Sequence, residues 1–197
     1  MVSHDVSQTV EAMTQAVQDI RCAAAWLAAQ PEVDTTQLGI TGISLGGIVS
    51  ALVAEAEPRI GNVLPVLAGG KFGATAWESD ELRGSREFWE SQGLTADKLA
   101  EMVRDVDPVT HAQNLRGRRM LMINAKRDRV IPPHCAEALW SAAGKPPIIW
   151  WNTTHYSAAW RLPEGISRMV QFFSPLEAAG TTFVSPPAER AQKQQPE

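Results

Sequence analysis

The sequence predicts an α/β fold, in which a mainly parallel sheet of about four strands carries helices on both faces. Apolar runs typical of buried strands alternate with helical patterns, and this alternation is typical of such a sheet. With 197 residues, of which 44% are hydrophobic, the chain can form one domain with a sizeable core. We expect that domain over residues 1–183, and a disordered tail over 184–197, where Ser, Pro, Gln, Lys and Glu dominate.

The individual elements follow from the spacing of apolar residues. Residues 5–30 form an amphipathic helix, because apolar side chains recur at three- and four-residue steps, and Asp5 can cap its start. The segment 71–112 contains helical patches and is predicted to be a small helical insertion. The remaining elements are strands at about 37–43, 62–68, 120–124 and 147–151, and helices at about 45–57, 134–143 and 164–174.

Composition and charge exclude several classes of function. A net charge of −4 gives no basic surface for a nucleic-acid partner. No apolar run is long enough to span a membrane, and the N-terminus does not resemble a signal peptide. The two cysteines, Cys22 and Cys135, have neither metal-ligand spacing nor a disulfide framework, and Cys22 is expected in the core of the first helix. We therefore predict a cytoplasmic protein without a metal or an organic cofactor.

The segment G-I-S-L-G-G at 42–47 carries the strongest functional signal. It lies between a predicted strand and a predicted helix, which is the setting in which a serine such as Ser44 becomes a nucleophile. Gly42 and Gly46 fit this interpretation, because residues beside such a serine have little room for a side chain. The N–H of Leu45, at the start of the helix, would face an anion formed there. The alternative is a flexible glycine–serine loop, but the apolar Ile43 and Leu45 would have no role in such a loop.

A nucleophilic serine needs a base and a group that orients the base. Histidine is suited to the first role and a buried carboxylate to the second. In parallel sheets these groups lie at the carboxyl ends of strands, where Asp128 follows the third predicted strand and His155 the fourth. Asp128 could instead be an ordinary turn residue, and His155 a surface or capping histidine. Glu78, Asp80 or Glu81 could replace Asp128 if the insertion folds back over the site.

Together these segments resemble an α/β-hydrolase. The resemblance covers about residues 5–175 and depends on the serine motif at 42–47, on Asp107-Pro108, on D-R-V-I-P at 128–132 and on His155. It implies Ser44 as nucleophile, His155 as base and Asp128 as its orienting partner. It also implies an acyl-enzyme mechanism on carboxylic esters, and a cap formed by the insertion at 71–112.

The sequence departs from this family at its start. The resemblance implies about four further strands before the first helix, and a loop, often H-G-G-G, that supplies the second N–H of the oxyanion hole. Neither has a counterpart here. The first donor would be the N–H of Leu45, and the second could come from Gly69-Gly70 or from the N-terminal residues. The strand at 37–43 would form an open, apolar edge, and we expect a homodimer that covers it.

The sequence therefore predicts a truncated α/β-hydrolase that acts as a serine carboxylesterase on small, short-chain esters. An amidase, a peptidase or a thioesterase with the same three residues stays an alternative, as does a non-catalytic hydrolase-like interaction protein. An apolar acyl group is expected, because several tryptophans are predicted near the site. These are Trp77, Trp89, Trp151 and Trp160.

Overall fold

The computed structural model of the protein describes residues 4–174. The tail predicted at 184–197 lies outside the described residues. The helices are α1 (Val6–Ala28), α2 (Leu45–Ala56), α3 (Phe72–Glu78), α4 (Arg83–Ser91), α5 (Ala96–Met102), α6 (Pro133–Ala142) and α7 (Leu162–Phe173). The strands are β1 (Gly39–Ile43), β2 (Asn62–Val66), β3 (Arg119–Met120), β4 (Met122–Ala125) and β5 (Ile148–Trp151).

All the strand pairs in the described sheet are parallel, which confirms the predicted architecture. The strand order is β1-β2-β4-β5, and β3 pairs with β2. The strand expected at 120–124 is divided into β3 and β4, so the sheet has five strand segments instead of about four.

Pro65, in the middle of β2, explains this division. The N–H of Leu121 donates to the Val63 carbonyl oxygen at 3.1 Å, and the ladder resumes where the Leu67 N–H donates to the Ile123 carbonyl oxygen at 2.7 Å. In a parallel ladder the bond between these two would run from residue 65 to the Leu121 carbonyl. Because proline has no N–H, that bond cannot form, and the neighbouring strand is interrupted at Leu121.

Alternate residues of the central strands face two separate hydrophobic clusters. Val63 and Met122 belong to a cluster that includes residues of α1, α2 and α6. Leu64 and Ile123, the next residue in each strand, belong to a second cluster that includes Phe172 of α7. The sheet therefore has helices on both faces, as the sequence predicts.

Helix α1 agrees with its prediction at its start but not at Cys22. Asp5 caps the helix, since its Oδ1 accepts from the N–H groups of Ser7 and Gln8 at 2.9 and 3.2 Å. Cys22 is exposed, so its expected place in the core is wrong. It lies nine residues after the fully buried Met13, which is half a turn away around a helix. Both Cys22 and Cys135 are free thiols.

The insertion between β2 and β3 packs as a small helical layer. Its main anchor is Asp107, whose carboxylate accepts from the N–H of Phe72 at 2.6 Å and of Val109 at 3.0 Å. Trp89 of α4 is buried, and its indole N–H donates to the carbonyl oxygen of His4 at 2.7 Å. These bonds hold the insertion together and tie it to His4, two residues before α1.

Strand β1 lies at one edge of the described sheet. Ile43, its last residue, is 44% exposed. The open, partly apolar edge agrees with the sequence analysis. Across residues 4–174, no helix combines the length and the apolar character that a membrane crossing requires.

Candidate active site

Ser44 lies in a strained turn between β1 and α2. Its φ of 58° and ψ of −121° are rarely adopted by residues other than glycine. The Ser44 N–H donates to the Val66 carbonyl oxygen of β2 at 2.8 Å. The Ser44 carbonyl oxygen accepts from Gly47 and Ile48 at 2.8 and 3.0 Å. Both backbone groups of Ser44 are therefore held, one by the sheet and the other by the first turn of the helix.

Two glycines make this turn sterically possible, and one of them differs from the expectation. A Cβ at Gly42 would clash with the carbonyl group of Gly46. A Cβ at Gly47 would lie 2.8 Å from the Cβ of Ala68 and 2.8 Å from the Val66 carbonyl oxygen. A Cβ at Gly46 would meet nothing within 4 Å. The steric need predicted for Gly42 is confirmed, whereas that for Gly46 is wrong, and Gly47 is the second glycine that the turn requires.

The structure brings Ser44, His155 and Asp128 into one hydrogen-bonded chain. His155 Nε2 lies 2.9 Å from Ser44 Oγ, and His155 Nδ1 lies 2.7 Å from Asp128 Oδ2. The histidine side chain is 10% exposed and the aspartate side chain 1%. In the tautomer whose Nδ1–H donates to Asp128, Nε2 is free to accept the Ser44 O–H. This geometry is suited to proton transfer from the serine hydroxyl to the histidine.

Asp128 is also held by the turn that it begins. Its Oδ1 accepts from the N–H groups of Val130 and Ile131, both at 2.8 Å, while its Oδ2 faces His155. The turn interpretation and the site interpretation are therefore both consistent with the structure. The two backbone donors fix the carboxylate, so that the imidazole has a rigid partner.

The acidic residues of the insertion bind elsewhere or face solvent. Asp80 Oδ2 lies 3.0 Å from Arg129 Nε, and Glu78 Oε2 lies 3.5 Å from His134 Nε2. Glu81 is exposed. Asp128 is therefore the carboxylate that contacts His155 in this structure.

The loops that follow β4 and β5 run side by side, which explains why Asp128 and His155 meet. The ladder between the two strands continues beyond them, with the Lys126 N–H bound to the Trp151 carbonyl oxygen at 2.8 Å and the Arg127 N–H bound to that of Thr153 at 3.0 Å. The parallel sheet itself thus brings the two loops to one edge.

Hydrogen bonds between Thr154 and Ser157, on either side of His155 in the chain, were not identified by the sequence analysis. The Thr154 N–H donates to Ser157 Oγ at 2.8 Å, and the Ser157 N–H donates to Thr154 Oγ1 at 3.2 Å. This reciprocal pattern is the one that a capping box uses. The spacing T-x-x-S at 154–157 is the sequence signal that could have identified it.

The oxyanion-hole expectations have different outcomes. Leu45 is the first residue of α2, where backbone N–H groups have no partner within the helix, so its N–H can face an anion beside Ser44. Gly70 is excluded as the second donor, because its N–H donates to the Cys135 carbonyl oxygen at 2.9 Å. Gly69 packs closely against the backbone of Cys135.

Two of the tryptophans expected near the site are buried in hydrophobic clusters. Trp89 is buried within the insertion, and Trp151 is buried in the cluster beneath α7. Trp160 is 88% exposed. Because Trp89 and Trp151 fill hydrophobic clusters and Trp160 faces solvent, these three side chains do not form an enclosed acyl pocket. Among residues 4–174, no three His, Cys, Asp or Glu side chains are grouped as metal ligands would be.

Comparison with known proteins identifies the family. Residues 9–145 match the prolyl oligopeptidase family. Two uncharacterized proteins of Mycobacterium tuberculosis, from strains CDC 1551 and H37Rv, are each 29% identical over 156 residues. That alignment covers 77% of this chain and 35% of theirs, so the chain spans about a third of the length of the curated relatives it matches.

Solved structures show the same fold at low sequence identity. Acetyl xylan esterase 1 from Thermoanaerobacterium has a TM-score of 0.64 and 21% identity, covering 80% of this chain and 52% of that one. The acetyl xylan esterase from Paenibacillus sp. R4 has a TM-score of 0.65 and 18% identity, with the same coverage. Puromycin hydrolase has a TM-score of 0.58 and 20% identity, covering 80% of this chain and 25% of that one. The chain has the α/β-hydrolase fold and belongs to the prolyl oligopeptidase family.

Proposed function

We propose that the chain is a serine carboxylesterase that hydrolyses small, short-chain esters. In this proposal Ser44 is the nucleophile, His155 the general base and Asp128 the residue that orients His155. The observation that carries the proposal is the continuous chain of short contacts, 2.9 Å from Ser44 Oγ to His155 Nε2 and 2.7 Å from His155 Nδ1 to Asp128 Oδ2. A serine hydroxyl is a weak nucleophile without such a base.

The acylation half of the reaction follows from these contacts. Ser44 Oγ attacks the ester carbonyl carbon while its proton moves to His155 Nε2, and Asp128 stabilises the resulting imidazolium. The oxyanion that forms accepts a hydrogen bond from the Leu45 N–H. His155 then returns the proton to the departing alcohol oxygen as its bond to the carbonyl carbon breaks, which leaves an acyl group on Ser44.

Water completes the cycle through the same groups. His155 removes a proton from the water molecule that attacks the acyl carbon, and then gives a proton back to Ser44 Oγ as the carboxylic acid leaves. With Leu45 as the one assigned oxyanion donor, the rate is expected to be modest, since the loss of a single donor costs on the order of 10²–10³ in serine hydrolases.

Some of the structural neighbours favour ester substrates, whereas the family, and a neighbour that is an acylaminoacyl peptidase, favour peptides. Two neighbours are acetyl xylan esterases, which supports small acyl esters as substrates. The match to the prolyl oligopeptidase family supports amide or peptide hydrolysis as the second candidate. Thioester hydrolysis uses the same groups, and a non-catalytic interaction protein would keep the fold without turnover.

Hydrolysis of p-nitrophenyl acetate and p-nitrophenyl butyrate tests the proposal. The full chain should turn over both esters, and Ser44→Ala should lower kcat by about 10³-fold or more. Equal rates for the two proteins would contradict the role of Ser44. A fluorophosphonate probe gives an independent readout, because mass spectrometry should locate the adduct on Ser44, and a protein that is not labelled would support the non-catalytic alternative.

Amide substrates distinguish the two candidate activities. Alanine p-nitroanilide and glycyl-proline p-nitroanilide can be assayed beside the esters under the same conditions. A kcat/KM for either anilide above that of p-nitrophenyl acetate would contradict the ester proposal and support the peptidase alternative. Ser44→Ala should abolish both activities, which separates the choice of substrate from the identity of the nucleophile.

We also propose that the chain forms a homodimer that covers β1 and the flanking helix α1. An edge strand offers unpaired backbone groups, and the same edge of a second copy is self-complementary about a two-fold axis. The exposed Ile43 supports burial of this edge, and the exposed Trp26 supports burial of α1. Light scattering at micromolar concentration should give the mass of two chains, and Trp26→Lys should shift it toward one. A monomer of the unmodified chain would contradict the proposal.

A cytoplasmic location stays a prediction, with which the free thiols are consistent.

A further inference from the structure

A second concave site lies at the opposite end of α2 from Ser44. A cavity of about 340 Å³ opens between α1, the last turn of α2 and the loop over residues 105–114. Glu55 lines it, ten residues along α2 from Leu45, which corresponds to about 15 Å at 1.5 Å per residue. The cavity is therefore separate from the serine site, and nothing in the proposed reaction uses it.

Glu55 is a buried carboxyl group without a partner. The residue is 6% exposed, and its Oε1 is fully buried and accepts no hydrogen bond. Its main-chain carbonyl oxygen accepts from Asn114 Nδ2 at 3.1 Å, but this bond leaves the side chain unsatisfied. A buried polar atom without a partner costs on the order of 1–3 kcal/mol, and a positive charge in the cavity beside this carboxyl group would offset part of that cost.

The charges around the cavity favour a cation. Asp105 lines the rim, and neither lysine nor arginine is among the lining residues. Arg118 is the basic residue that acts on Glu55, but its guanidinium donates to the carbonyl oxygens of Asn114 and Glu57 at 2.9 and 3.0 Å. His111 also lies on the rim.

The same surroundings keep Glu55 protonated when the cavity holds no cation. Burial raises the pKa of Glu55 to about 9, and the nearby Asp107 adds to the rise while Arg118 opposes it. A bound positive charge would reverse this balance, because it favours the ionised carboxyl.

The floor of the cavity is apolar. Val17 of α1, Leu52 of α2 and Val106 line it, while Thr14 and Gln18 add polar side chains at the rim. A ligand with a short hydrocarbon chain and a charged nitrogen would match both parts. The residues that the structure describes contain no group of metal-ligating side chains here, so an organic cation fits better than a metal ion.

We propose that this cavity binds a small organic ammonium ion. The N–H groups of the ligand donate to the carboxylate of Glu55, Asp105 adds electrostatic attraction at the rim, and the hydrocarbon chain contacts Val17, Leu52 and Val106. Binding converts the Glu55 carboxylic acid to a carboxylate, and the displaced proton passes to the buffer. Each ammonium ion bound near pH 7 should therefore release about one proton.

Isothermal titration of the full chain with n-butylammonium chloride tests the proposal. Titrations at pH 7 in phosphate and in HEPES, which differ in their heat of ionisation and contain no primary ammonium ion, measure the proton released. We expect saturable binding with release of about one proton. Glu55→Gln should weaken the affinity about ten-fold or more and abolish the proton release, in line with the loss of a charge-assisted hydrogen bond.

Matched variants and probes make the test specific. Asp105→Asn should weaken binding a few-fold, whereas Asp97→Asn, an exposed acid on α5, should not change it. Thermal unfolding of each variant verifies that it is folded. Ser44→Ala should bind n-butylammonium normally, so failure of the esterase proposal and failure of this one are distinguishable. Absence of saturable binding, equal affinity of Glu55→Gln, or equal affinity for 1-butanol would each overturn the proposal.

Discussion

A buried carboxyl group lies near each end of helix α2, and the two differ in their hydrogen-bond partners. Near the N-terminal end, Asp128 is 5% exposed and its oxygens contact three nitrogen atoms, those of Val130, Ile131 and His155. At the C-terminal end, Glu55 is 6% exposed and has no side-chain partner. Burial is nearly equal, so the difference lies in the donors. At the first end, nitrogen atoms hold the carboxylate of Asp128 in place. At the second end, the carboxyl group of Glu55 lacks a hydrogen-bond donor.

Glu57, the residue that follows α2, shows that lying at this end of the helix does not cause the difference. It lies two residues after Glu55 and is 3% exposed, yet Arg59 donates to its two oxygens at 2.7 and 2.8 Å. These hydrogen bonds lower the pKa of Glu57 to about 2, against a burial that acts in the other direction. Burial is the main cause of the pKa of about 9 at Glu55, whereas the hydrogen bonds from Arg59 are the main cause of the pKa of about 2 at Glu57.

The largest effect is expected from Asp128→Asn. An amide nitrogen opposite His155 Nδ1 would favour the tautomer with a protonated Nε2, which cannot accept the Ser44 proton. We expect kcat for p-nitrophenyl acetate to fall about 10⁴-fold, the size of effect seen when such an aspartate is replaced. Asp80→Asn is the matched control, since Asp80 binds Arg129 in the same turn but does not contact His155. A fall of less than ten-fold would contradict the orienting role.

Replacing Gly42 tests how tightly the serine turn is packed. Gly42→Ala should destabilise the protein by about 3 kcal/mol, because its Cβ would clash with the backbone of Gly46. Gly46→Ala should be neutral or should stabilise the protein by up to about 1 kcal/mol, since its Cβ meets nothing within 4 Å. Urea unfolding of both variants measures this difference. Equal destabilisation would show that the motif restricts both glycines alike.

Glu55→Gln should stabilise the protein at neutral and alkaline pH. The pKa of Glu55 is about 9 in the folded state and near 4.5 in the unfolded state. The unfolded chain therefore binds fewer protons between these values, and stability falls as pH rises. The cost is about 3 kcal/mol at pH 7. The variant should remove it, so the difference in unfolding free energy should increase from pH 5 to pH 8. A constant difference would show that Glu55 is not a buried acid in solution.

The parts of the site that the sequence predicts are those that depend on local order and sheet direction. Ser44 follows from a strand–turn–helix pattern. Asp128 and His155 follow from the rule that side chains after neighbouring parallel strands meet at one edge. Their three-residue chain is where this rule expects it, although its chemical role stays a proposal. The fold class could be predicted for the same reason, because alternating strands and helices leave few topologies.

The errors concern residues whose surroundings come from distant parts of the chain. Whether Gly46 or Gly47 is restricted depends on how closely α2 approaches β2 and Ala68. Cys22 has an apolar neighbourhood in the sequence, but α1 buries a different face. Glu55 is isolated because α1, α2 and the loop over residues 105–114 all leave it without a hydrogen-bond donor. No sequence pattern predicts this arrangement.

The smallest effect is expected from Glu57→Gln, and its sign is opposite to that of Glu55→Gln at pH 7. A lowered pKa means that the ion pair with Arg59 stabilises the protein above pH 4.5 and that this contribution is lost as pH falls toward 2. Because the Arg59 side chain is 42% exposed, solvent screening reduces the expected loss at pH 7 to about 1–2 kcal/mol. Urea unfolding at pH 7 and pH 3 should show this loss becoming smaller at the lower pH. A loss of the same size at both pH values would mean that the substitution at Glu57 disturbs packing. In that case the hydrogen-bond partner of a buried carboxyl group would not decide what that group contributes to stability at this end of α2.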